Sequence, residues 1–74
     1  MLRRVKCLDS FKEVFVEYDC DGTLRYPMNF KKGCEYDAKV GVSGCIYVYP
    51  EEYSQYIYSL MSFSDFSKSF MFID

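Results

Sequence analysis

The string Asp19-Cys20-Asp21-Gly22-Thr23-Leu24 is where residue types and spacing in this chain most suggest catalysis. Two carboxylates two residues apart, after the apolar run Val14-Phe15-Val16, could act as nucleophile and general acid at the end of a strand. The same residues are also turn chemistry, since Asp-Gly marks a tight turn and an Asp side chain bonds backbone two residues on. Read as a calcium loop from Glu17, the string places Met28 at the twelfth position, where a bidentate Glu is required. There is no histidine to activate a serine or cysteine. Glu51-Glu52 reads as a solvated turn tip rather than an acid–base pair. Cysteines at 7, 20, 34 and 45 include no Cys-x-x-Cys pair, so zinc ligation is not indicated. In a secreted chain they would be read as two disulfides with three possible connectivities. The opening MLRRVKCLDS lacks an export-type apolar segment, so reduced thiols in or near the core are expected.

The Asp19–Leu24 string resembles the first motif of haloacid-dehalogenase-type phosphatases. That family completes a magnesium site with further acids and a lysine, on a parallel sheet with crossover helices. Parallel strands need crossovers of a dozen or more residues, and 74 residues cannot supply enough of them. An Asp-rich hairpin turn is the expectation, and the chain is read as non-enzymatic with no cofactor and no metal.

What remains is binding chemistry. Seven Phe and eight Tyr are more rings than one small core can hide, because a chain of this length buries only about 60% of its unfolded surface. Surplus aromatic surface suggests a partner or a second copy. The net charge of −2 argues against a general nucleic-acid binder. Its distribution says more: Arg3, Arg4 and Lys6 gather at the start, while Glu13, Glu17, Asp19, Asp21, Glu35, Asp37, Glu51 and Glu52 fill the middle. Tyr47, Tyr49, Tyr53, Tyr56 and Tyr58 fall in a stretch without Lys or Arg, so base stacking backed by phosphate contacts is not indicated there. Acid plus tyrosine suits a basic protein groove better. A nucleic-acid module using Arg3, Arg4, Lys6 and the aromatic strands is the alternative.

The elements that must position these residues read as strands. RRVKCL alternates, with Val5 and Cys7 inward and Arg4 and Lys6 outward. Residues 13–18 read as a strand with Val14, Val16 and Tyr18 on one face, ended by the Asp-Gly turn. Thr23–Tyr26 reads as a short strand that Pro27 stops or confines to an edge, and Met28–Gly33 as a loop with Gly33 at positive φ. Cys34–Val40 and Cys45–Tyr49 flank a Gly41–Gly44 turn, with Ala38 and Val40 expected to fill the interior. Pro50-Glu51-Glu52 turns the chain into an alternating strand over Gln55–Leu60. Phe63, Phe66 and Phe70 are spaced for a helical or 3₁₀ turn over 62–69 capped by Ser62, followed by a last strand through Phe72. The whole reads as a single all-β domain over 1–74, one strongly curved sheet or barrel of five to six strands, with no run long enough to span a membrane.

Val5-Lys6-Cys7-x-Asp9, Lys32-Gly33-x-x-Tyr36-x-Ala38 and the Gly-x-Tyr-Val-Tyr run resemble small SH3-like barrel proteins over residues 3–60. In size and sequence the chain is also similar to small early proteins of large staphylococcal phages that inhibit the host's replicative sliding clamp. That likeness implies a homodimer acting in the host bacterial cytoplasm, which occupies the clamp's DNA channel without itself binding nucleic acid. The residues then expected at the partner are Glu13, Glu17, Asp19, Asp21, Glu35, Asp37, Tyr47, Tyr49, Glu51, Glu52 and Tyr53. The likeness leaves Arg3, Arg4 and Lys6 without a role.

Overall fold

A computed structural model describes residues 2–53 and 55–74. Strand β1 (Arg3–Cys7) buries Val5 and Cys7 and exposes Arg4 and Lys6, as a period-two strand must. β2 (Phe11–Asp19) and β3 (Gly22–Phe30) pair antiparallel from Phe11–Phe30 to Asp19–Gly22. The link is the two-residue turn Cys20-Asp21, where the Asp19 carboxylate accepts the Asp21 N–H at 2.8 Å. The Asp-x-Asp-Gly string is thus a hairpin turn, its first carboxylate bonded to its own backbone.

β4 (Glu35–Val40), β5 (Ile46–Tyr49) and β6 (Ser59–Met61) follow, then α1 (Phe63–Ser69) and β7 (Phe70–Phe72). Five of these strands form one antiparallel sheet in the order β6-β5-β4-β1-β7, curled into a half-barrel. The β2–β3 hairpin is a second sheet of two strands. Helix α1 carries the chain from one edge of the larger sheet to the other. Ser62 caps it by accepting the Asp65 N–H, and Phe66 fills the space beneath it. This is an SH3-like all-β fold with one short helix, divided between two sheets rather than confined to one.

Several local expectations need correction. Of the two readings of Pro27, the edge holds and the stop does not: β3 runs on to Phe30, and Met28 and Phe30 belong to the core rather than to a loop. A two-stranded sheet tolerates proline because each strand has an open edge to which the missing N–H can point. The stretch 55–58 is not strand: β6 begins only at Ser59, although Ile57 is buried. Val40 lies at the sheet's end, 46% exposed, and does not fill the interior. Cys34 sits outside β4 and is exposed, as is Cys20 in the hairpin turn; Cys7 is buried and Cys45 half-buried. Gly33 has φ 87°, the left-handed conformation expected of it, and its N–H donates to the Cys7 carbonyl at 2.8 Å. Gly41 is required for a different reason, since a Cβ there would stand 2.9 Å from the Tyr47 ring.

The core joins both sheets through phenyl rings. Phe30 of the hairpin stacks on Phe11 at 5.0 Å and meets Tyr36 of β4 and Phe70 of β7 edge-on, at 5.1 and 5.6 Å. Phe70 in turn stacks on Phe66 at 5.6 Å. Phe70→Ala should therefore cost about 3–5 kcal/mol, a large share of the roughly 5–10 kcal/mol available to a small domain. Chemical denaturation reads this directly, and an unchanged midpoint would contradict the packing.

Candidate interaction surface

The hairpin register decides where the acids go. Directly opposed residues share a face, so Phe11, Glu13, Phe15 and Glu17 line up with Phe30, Met28, Tyr26 and Leu24 on the side toward the larger sheet. Val14, Val16 and Tyr18 do share one face, and it is the outer one: Val14 is 52% and Tyr18 79% exposed. Two carboxylates therefore stand among rings on the inner side. Tyr56, and Ser59 at the start of β6, reach that side and satisfy them. The Ser59 hydroxyl donates to Glu13 at 2.5 Å, and the Tyr56 hydroxyl to Glu17 at 2.7 Å. The Tyr53 hydroxyl donates to the Pro27 carbonyl at 2.9 Å.

A seam of rings runs through this contact. Tyr53 meets Tyr26 edge-on at 5.6 Å, Tyr26 meets Phe15 at 6.2 Å, and Phe15 meets Tyr58 at 5.2 Å. Tyr58 continues to Tyr47 at 5.0 Å and to Tyr49 at 6.4 Å on the outer face of the sheet. There the tyrosines, with Lys39, Val40 and Val42, line an open groove of about 340 Å³. Most of these tyrosines are half-buried, and only Tyr36 is fully buried. The Tyr26, Tyr53 and Tyr56 hydroxyls keep polar partners while their rings pack against neighbouring rings.

Charge is divided along the molecule. Segments 13–26 and 46–58 hold six carboxylates, Glu13, Glu17, Asp19, Asp21, Glu51 and Glu52, against the single cation Arg25. The remaining eight cations and five carboxylates lie elsewhere. These two stretches thus carry five net negative charges and the rest three net positive, while Lys12 at the base of the hairpin belongs to the basic remainder. Nine residues of strand extend roughly 30 Å and the molecule measures 40 × 26 × 20 Å, so the acids spread along its length. Asp19 and Asp21 occupy the exposed hairpin tip and Glu51 and Glu52 an exposed turn.

Of the residues expected at a partner, Glu13, Glu17 and Tyr53 meet the seam, and Tyr47 and Tyr49 end it. Glu35 and Asp37 lie apart, on the outer face of β4, where Arg4 holds both, Asp37 at 2.9 Å and Glu35 at 3.5 Å. Asp37 is also the register partner of Tyr49, so it borders the tyrosine surface but is already paired. Arg3 ion-pairs with Asp74 at 3.1 Å and covers the Phe72 ring at 4.1 Å. The basic start of the chain is largely neutralised within the fold. Phe15, Tyr26, Tyr56 and Tyr58, which hold the surface together, were not among the expected site residues. The signal was present: a two-residue turn at Cys20-Asp21 fixes the register that sets Phe15 opposite Tyr26.

Among the described residues no cluster of three or more His, Cys, Asp or Glu side chains is arranged for a metal, and no helix is long and apolar enough to cross a membrane. Comparison with protein-family models, curated proteins and solved structures returned no match, so no relative's site can be transferred onto these residues.

The Glu17 carboxylate holds the Tyr56 phenol above its ordinary pKa by accepting its hydrogen bond. Tyr26 is raised as well, first by burial and then by Glu17. A raised folded-state pKa contributes stability that is complete below the unfolded phenol's pKa and is lost as pH rises through the folded value. Glu17→Gln should therefore lower the Tyr56 titration midpoint and make stability less sensitive to alkaline pH. A chemical-shift titration of the Tyr56 ring measures this, and an unmoved midpoint would contradict the bond.

Proposed function

We propose that this chain is a phage-encoded, non-enzymatic inhibitor that binds the bacterial DNA polymerase III sliding clamp, its β subunit. In this reading it acts as a homodimer in the host cytoplasm, occupies the clamp's DNA channel and so blocks loading onto DNA. The observation that carries the reading is the segregation of charge: a tyrosine-bearing, strongly acidic hairpin side on a chain whose remainder is net basic. A channel that tracks phosphates presents Lys and Arg, and an insert for it needs carboxylates spaced along an extended body. Half-buried tyrosines add contact area at low entropy cost. The resemblance to staphylococcal-phage clamp inhibitors supplies the partner's identity.

The alternative of a nucleic-acid module draws less support. Arg3 and Arg4 are engaged by Asp74, Asp37 and Glu35, so phosphate contacts there would require breaking bonds already made. The acidic hairpin would repel a nucleic acid laid along it.

Titration calorimetry with a purified bacterial clamp tests the reading. Binding should weaken as ionic strength rises, because exposed charge pairs are screened beyond ~8–10 Å at moderate salt. Reversing both tip acids, Asp19→Lys with Asp21→Lys, should weaken it by about tenfold or more, since each lost surface pair is worth ~0.2–1 kcal/mol and each reversal adds repulsion. Absence of binding at low salt, or loading of the clamp undisturbed by excess inhibitor, would overturn it.

A further inference from the structure

The two open edges of the hairpin are not equivalent. β3 carries Pro27, which has no N–H to donate, and its carbonyl is already taken by the Tyr53 hydroxyl. β2 has no such protection beyond Lys12 near one end, and among the described residues it pairs with β3 alone. A proline fits a paired position where its nitrogen faces away from the neighbouring strand. Val14, opposite Pro27, then belongs to a pair that exchanges no ladder bonds, and its own N–H and C=O point to the open edge. By the alternation of the ladder, so do those of Lys12, Val16 and Tyr18. Among the described residues the larger sheet has no comparable edge: β6 and β7 are three residues each.

We propose that this edge of β2 accepts an extended segment of a protein partner as an added strand, one in which apolar residues alternate with Lys or Arg. The inference rests on the reading of this chain as a binder of a basic protein. An added strand places alternate side chains on the two faces of the ribbon. On the outer face they meet Val14 and Tyr18, exposed apolar groups, and the half-exposed Val16. On the inner face they approach Glu13, Glu17 and, at the tip, Asp19. Each carboxylate has acceptor sites beyond those its internal bonds use. A second copy of β2 fits worse: the antiparallel register that sets Val14 beside Val16 also sets Glu13 against Glu17, and like charges directly opposed destabilise a pair.

The test uses the full chain and an end-blocked nine-residue peptide alternating valine and lysine, with a valine–glutamate peptide as control. The amides of Val14, Val16 and Tyr18 should exchange at least tenfold more slowly with the valine–lysine peptide and be unaffected by the control. Val16→Pro removes one edge donor without touching the β2–β3 ladder and should weaken the peptide at least tenfold. Should that variant not fold, the exchange pattern of the unaltered chain decides. No slowed edge amide, equal binding of the two peptides, or undiminished binding by folded Val16→Pro would overturn the proposal. So would protection that appears without peptide and rises with protein concentration, which would assign the edge to a second copy. Clamp binding that survives while the peptide fails would sink this inference alone. Peptide binding without clamp binding would sink the functional reading instead.

Discussion

Everything distinctive about this molecule depends on fastening a two-stranded hairpin to a sheet with which it shares no ladder. A lone hairpin in water is marginal, so side chains must supply the attachment. At the base the attachment is Phe11 and Phe30 against Phe70 and Tyr36. Further out it is Phe15, edge-on to Tyr58 at 5.2 Å and to Tyr56 at 6.3 Å. Edge-to-face ring pairs contribute about 0.5–1.5 kcal/mol each beyond their buried area, and a row of them makes a small core sufficient. Tyr53, Tyr56 and Tyr58 are held by the rings of the hairpin, which ties the tyrosine-rich stretch of the sequence to the acidic one.

The carboxylates fall into two populations as a result. Glu35, Asp37 and Asp74 answer Arg4 and Arg3 and belong to the fold. The N–H of Arg4, and then the Arg3 guanidinium, hold the Asp74 carboxyl below its usual range. Glu13 and Glu17 are bonded by neutral hydroxyls, and Asp19 by the backbone N–H of Asp21, so their negative charge is not cancelled. Asp21, Glu51 and Glu52 stand exposed. The mild net charge of the chain conceals this partition, in which only the uncancelled population projects a field toward a partner.

Period and punctuation made much of the fold legible in the sequence. Alternation in RRVKC, Gly-bounded runs around Ala38 and Val48, and a Ser-capped Phe63–Phe66–Phe70 spacing led to the elements observed. Three stretches were misread, each because tertiary context outweighed a local signal. Pro27 could mark a stop or an edge, and it is the edge; the loop reading of Met28–Gly33 fails because the strand passes through Pro27 to bury Met28 and Phe30. The alternation of Gln55–Leu60 looked like one strand, yet only Ser59 and Leu60 join the sheet as the start of β6, and Tyr56 before them serves the hairpin with its side chain. Cys34 follows Gly33, whose left-handed turn takes the thiol out of the alternation that buries Tyr36. For the surface, the acid and tyrosine types were readable, whereas the cancellation of Glu35 and Asp37 by Arg4 required the β1–β4 register.

The attachment of the hairpin through its rings is the claim on which the acidic surface stands. Nuclear Overhauser effects from the Phe15 ring in the full chain test it most directly. Cross-peaks to the rings of Tyr26, Tyr56 and Tyr58 are the predicted result. A Phe15 ring with cross-peaks only to residues of its own hairpin would show the ribbon detached from the sheet and contradict the account.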